Sequence, residues 1–180
     1  MIEMISSAPY LSAPLKPIAL HIPDGFLSVL VSVILWIISI IAVGYALQRV
    51  GKDLGERQVP LMGILAAAIF AGQMLNFSVS GGTSGHLLGA AIAVILLGPW
   101  PAVLVMTCVV AVQALLFQDG GILALGANIF NMAIVGVFVS YAVYTLLRRL
   151  FKNQSWGLFV SGFLAAWASI LLASLSCALQ

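Results

Sequence analysis

The sequence predicts an all-α protein, a polytopic membrane helix bundle with about six transmembrane segments and a glycine-rich outer loop. Three observations carry this. Of 180 residues, 63% are hydrophobic and only 7% are charged, where a water-soluble domain carries about a quarter charged residues. The apolar residues fall into long uncharged runs rather than into alternating ones. The first run, Phe26 to Gln48, spans 23 residues without a charge, and at about 1.5 Å per helical residue it exceeds the roughly 30 Å hydrocarbon core.

Further segments follow at Pro60 to Phe77, His86 to Gly98, Pro101 to Phe117, Ile122 to Leu147 and Trp156 to Leu179. The third is short for a span, which needs about 17 to 25 residues, so it is tilted or begins inside the preceding glycine loop. Orientation comes from the charges. Arg49, Lys52 and Arg57 lie between the first two segments, and Arg148, Arg149 and Lys152 between the last two. The positive-inside bias makes both loops cytoplasmic. Counting crossings then places His21, Asp24, His86 and Asp119 on the outer face.

Four polar features sit on that face or just beneath it. HIPDG, residues 21–25, precedes the first span. Its Pro-Asp-Gly has turn chemistry, and Asp24 is placed to cap the first helix while holding His21 over the bundle. SVSGGTSGHLLG, residues 78–89, combines glycines with small hydroxyl residues, a composition that lets backbone fold inward where its polar groups line a cavity. Asn128 and Asn131 stand three apart in an apolar helix, so they share a face that must point into the bundle, either to pack helices or to orient a ligand such as His86. Gln73 and Asn76, at the outer end of the second helix, are weaker versions of the same case. His21 and His86 are the chain's two histidines. Two imidazoles with few carboxylates nearby suit a borderline transition ion better than calcium or magnesium.

Other classes drop out. A formal net charge of +2 without a basic aromatic stripe does not support nucleic-acid binding. Cys108 and Cys177 lie within apolar segments and lack metal or redox spacing, so they read as packing residues. Asp119, beside Gly120 and Gly121, reads as a turn residue.

HIPDGFL, GGTSGHLLGA and LGANIFNMAIVG, in this order, resemble the membrane-embedded substrate-binding components of cobalt and nickel energy-coupling factor transporters, the CbiM/NikM family. The resemblance runs from about residue 20 to residue 180. It implies that Co²⁺ or Ni²⁺ is the transported substrate, with no cofactor, and that nitrogen donors hold the ion. These are a free terminal amine, the backbone nitrogen and imidazole of the histidine that follows it, and a second histidine from the glycine-rich loop. On this sequence the imidazoles map to His21 and His86. The amine maps to Leu20, and only where residue 20 is a free N-terminus. Asp24, Ser84, Asn128 and Asn131 take positioning roles. The implied partners are a transmembrane coupling subunit, cytoplasmic ATPase subunits, a small accessory membrane subunit and the lipid bilayer of a bacterial plasma (inner) membrane.

His21 is not the second residue here. Residues 1–20 read as an N-terminal arm without the form of a secretory signal. They are expected to be absent from the mature protein, through cleavage after Ala19 or, the preferred reading, a start at position 20. Residues 21–180 then form the metal-binding domain, which looks shortened by a C-terminal membrane segment relative to the family. With no GxxxxGK[ST] run, the chain is expected not to be an enzyme, leaving ATP hydrolysis to its partners. Two rivals stand beside this reading. One is a rhomboid-like serine protease built on Gly82-Thr83-Ser84-Gly85, with Ser84 as nucleophile and His21 as the remote base. The other is a passive channel or structural subunit without a stoichiometric metal site.

Overall fold

Backbone groups in hydrocarbon must be hydrogen-bonded within the segment, so uncharged apolar runs coil into helices. The computed structural model describes residues 21–53, 58–75, 77–79, 83–152 and 154–180. Within them, Val29–Asp53 forms α1, Gln58–Gln73 α2, Ala90–Leu97 α3 and Pro99–Leu116 α4. Leu125–Ile129 (α5), a π-helical turn at Phe130–Val135 and Gly136–Leu150 (α6) run on as one rod, and Ser155–Ala178 forms α7. The all-α architecture and the six helical rods agree with the sequence. Four rods, Val29–Gly51, Pro99–Leu116, Leu125–Leu150 and Ser155–Ala178, are long and apolar enough to cross a membrane. The chain is an integral membrane protein.

The boundaries have local causes. The first helix starts at Val29 rather than Phe26, because Gly25 turns the chain with φ +90° and the Ser28 hydroxyl accepts the Val31 N–H at 3.3 Å. The third segment was expected to be helical from His86. Instead, residues 86–89 have no regular structure, and α3 begins only after Gly89, whose φ is +84°. At about 12 Å its eight residues cover under half of a bilayer core. Gly98, at φ +82°, then starts α4, with Pro99 at a first-turn position where no N–H is needed. The glycine-rich loop holds one element outside the helical plan, a short antiparallel hairpin. Phe77–Val79 (β1) pairs with Thr83–Gly85 (β2) in the register Phe77 to Gly85, Ser78 to Ser84 and Val79 to Thr83.

Small residues bring the rods close. Ala90, Ala93, Ala102, Val103, Met106, Val110, Ala133 and Val137 are fully buried in one core. Outward, α1 presents Leu30, Val33, Ile37 and Ile41, and α7 presents Phe159, Phe163, Trp167 and Leu171, side chains whose natural solvent is lipid.

One close approach lies between α1 and α5. A Cβ added at Gly126 would stand 2.6 Å from Trp36 Cα, while the Gly126 carbonyl accepts the Ser39 hydroxyl at 2.7 Å and the Leu123 carbonyl accepts Trp36 Nε1–H at 3.0 Å. Gly126→Val should therefore push α1 away and cost about 2 kcal/mol of overpacking, visible as a Tm several degrees lower in detergent. An unchanged Tm would show that the two helices are free to separate.

Candidate metal centre

The strap ahead of α1 is held by side chains from far along the chain. The Asn128 side chain meets both polar groups of Ile22: Oδ1 accepts the Ile22 N–H at 2.8 Å and Nδ2 donates to the Ile22 carbonyl at 3.1 Å. That carbonyl also accepts the Gly121 N–H at 2.9 Å. The Asp24 carboxylate accepts from the N–H groups of Ile122 and Ala124, each at 3.0 Å. Asp24 is therefore a cap, but of the turn that opens α5 rather than of α1. Those N–H groups lack helical partners and carry partial positive charge, which a carboxylate from any segment can satisfy.

This clamp requires two glycines. Gly120, at φ +101°, lies against His21, where an added Cβ would be 3.2 Å from the histidine Cβ, and a Cβ at Gly121 would collide with the Asp24 carboxylate. Sequence reasoning treated these glycines as neighbours of a turn at Asp119. Their second role, as the surface on which the strap lies, leaves no local signal.

From the other side the irregular segment 86–89 delivers His86 into the bundle. His86 is 7% exposed and His21 2%. Their rings stack with centroids 5.3 Å apart and planes inclined by 22°. His86 Nδ1 lies 2.8 Å from the Leu87 carbonyl, so it carries the proton and leaves Nε2 with a free lone pair. His86 Nε2 and both His21 ring nitrogens are buried without a hydrogen-bond partner. An orphaned buried polar atom costs roughly 1–3 kcal/mol, and three share one spot.

Burial pushes the His21 imidazole down to about 4, assisted by the neighbouring His86 and opposed by the Asp119 carboxylate. At neutral pH the ring is an uncharged donor, the form that metal coordination requires. Among the described residues no three His, Cys, Asp or Glu side chains gather into a metal cluster. Two imidazoles are what the described side chains bring together here.

Asn131 does not reach the histidines. Its Oδ1 accepts from the Ser176 hydroxyl at 2.7 Å and from Gln180 Nε2 at 2.8 Å, and its Nδ2 donates to Gln180 Oε1 at 3.0 Å. The expected orienting of His86 by Asn128 or Asn131 is therefore corrected. Asn128 serves the strap next to His21, and Asn131 ties the π-helical turn to α7. The rod that carries them is buried on more than one side, so neighbouring positions of one helix meet different partners. The side chain of Ser84, and residues Leu20 and Asn76, lie outside the described residues. One contributor was missed: Gln113, fully buried on α4, whose Nε2 donates to Gln73 Oε1 at 2.8 Å while Gln73 Nε2 donates to the Leu88 carbonyl at 2.6 Å.

A sequence profile for the cobalt uptake substrate-specific transmembrane region matches residues 21–180. A putative metal transport protein of Haloquadratum walsbyi is 45% identical over 160 residues, 89% of this chain and 71% of that protein. A putative fused nickel transport protein, NikMN, of Archaeoglobus fulgidus is 47% identical over 156 residues, 87% of this chain. The chain spans half the length of that fused relative. The crystal structure of a truncated transition metal transporter superposes with a TM-score of 0.77 at 37% identity, covering 87% of this chain and 73% of that one.

The His21 shift gives a pH dependence with a definite sign. The unfolded imidazole takes a proton near 6.5 and the folded one only near 4, so between those values the unfolded state binds more protons and stability rises with pH. Metal-free protein should hold its full Tm above about pH 6.5 and lose stability down to pH 4, by at most ~3 kcal/mol. His21→Gln should flatten that slope in a thermal-melt series.

Proposed function

We propose, on the premise that this chain belongs to the cobalt uptake substrate-specific transmembrane family, that it captures Co²⁺ or Ni²⁺ as substrate from the outer side of the membrane for import. The observation that carries this is the pair of stacked, buried imidazoles with three unpartnered ring nitrogens. An ion between His21 and His86 would replace the missing hydrogen bonds with coordinate bonds. Neutral nitrogen donors favour late first-row divalent ions over calcium and magnesium. The rigid strap, held by Asn128 and Asp24, keeps His21 in place so that little ordering cost falls on binding.

In this reading residues 21–180 are the metal-binding unit and residues 1–20 are absent from the working protein. The amine of Leu20 and the backbone nitrogen of His21 then complete the nitrogen set, with Ser84 in the glycine-rich loop in a positioning role. Capture supplies specificity but no work, so import needs partners. The fused NikMN relative supports a further membrane component, and cytoplasmic ATPase subunits would drive the cycle. The setting is the bacterial plasma membrane. The protease reading built on Ser84 is set aside by the family.

The test is a Ni²⁺ and Co²⁺ titration of detergent-purified protein in two forms, one starting at residue 1 and one with a free amine at position 20. One-to-one binding in the shorter form, far tighter than in the longer, is expected. His86→Ala should weaken it by about a hundredfold or more, the loss of one ligand being at least as costly as loss of an outer-shell partner. Absence of stoichiometric binding in both forms would overturn the reading.

A further inference from the structure

We propose that Gln113 is a positioning residue for the ion site, joining through one chain of hydrogen bonds the two segments that carry the histidines. The inference rests on the reading of His21 and His86 as the ion's ligands. Toward His86 the chain runs through side chains. Gln113 Nε2 donates to Gln73 Oε1 at 2.8 Å, and Gln73 Nε2 donates to the Leu88 carbonyl at 2.6 Å, two residues beyond His86 in the irregular segment. Toward His21 it runs through backbone. The Gln113 carbonyl accepts the Asp119 N–H at 3.0 Å, after Gln118 turns the chain with φ +55°. The loop so anchored places Gly120 against His21 and sends the Gly121 N–H to the Ile22 carbonyl. A single residue at the outer end of α4 thus tethers both walls of the site.

Packing alone does not account for an amide at this position. Gln113 is fully buried and Gln73 nearly so, and Gln113 Oε1 has no partner. A methionine would fill similar space without burying an orphaned acceptor, whose cost is roughly 1–3 kcal/mol. What the amide adds is its donor, which fixes the Gln73 carboxamide so that Gln73 can hold Leu88. Without it Gln73 Oε1 is orphaned, the carboxamide can rotate, and the segment bearing His86 loses its fixed point. Two ligands from separate segments bind one ion more tightly when their spacing is preset, because less ordering cost falls on binding.

The experiment measures Ni²⁺ affinity and the absorption spectrum of bound Ni²⁺ for the wild type, Gln113→Met, Gln73→Met and the double variant, alongside their metal-free Tm. The wild type should bind one ion. Each single variant should lose about ten- to a hundredfold in affinity and shift the Ni²⁺ spectrum, with the double variant no worse than the weaker single, because both break one chain. Unchanged affinity and spectrum in a folded Gln113→Met would overturn the positioning role while leaving the ligand assignment intact. A wild type that binds no ion would overturn the ligand assignment first, and the positioning role with it. Where the methionine variants do not fold, the side-chain amide resonances of ¹⁵N-labelled wild type decide. Shifts at both Gln73 and Gln113 on Ni²⁺ binding are expected, and static resonances at both would overturn the proposal.

Discussion

The two-point bond between Asn128 and Ile22 is the constraint on which the outer half of the molecule depends. A strap lacking regular structure can lie inside a membrane protein only where its backbone finds partners, since unsatisfied groups away from water are costly. One carboxamide supplies a donor and an acceptor to the same residue, as a neighbouring β-strand would. With Ile22 fixed, Pro23 and Gly25 turn the chain, Asp24 reaches the opening turn of α5, and His21 is carried to His86. Polar side chains here are assigned to backbone first. Three imidazole nitrogens, both of His21 and Nε2 of His86, are left over, and that makes them available for a ligand.

The helical plan was legible because the hydrocarbon thickness imposes a length on every spanning segment, and uncharged runs of that length stand out against turns such as Gly98-Pro99 and the basic loops. The pairing of His21 with His86 was legible for a different reason, since positive-inside counting sends both to one face and the motifs around them resemble one family. The identity of each partner was not. Asp24 could be read as a cap from its type, but only the folded chain shows it capping α5. Asn128 and Asn131 share a sequence face yet serve different neighbours, because their rod is enclosed on several sides. Gln113 sits in an apolar run whose periodicity says nothing of a partner 40 residues earlier.

The break before α3 shows how local and long-range terms compete. Residues 86–88 could continue a helix by propensity, yet the Leu88 carbonyl goes to Gln73 and Gly89 takes a left-handed conformation with Ile69 packed against it. Backbone that a helix would have satisfied internally is satisfied from α2 instead. The cost is a shortened helix; the result is an imidazole set down inside the bundle rather than at its rim.

That shortened helix also closes the floor of the site. Following the irregular segment, Ala90 and Ala93 of α3 pack into the same core as Met106, Val110, Met132 and Ala133, each at most 2% exposed. An ion held between the histidines would therefore have a packed layer of methyl and thioether groups next to it. Among the described residues this layer is apolar, and a desolvated divalent charge would cross it only at high cost. On the proposed reading, delivery to the far side would come from displacing the part of the protein that holds the ion rather than from passage through this layer.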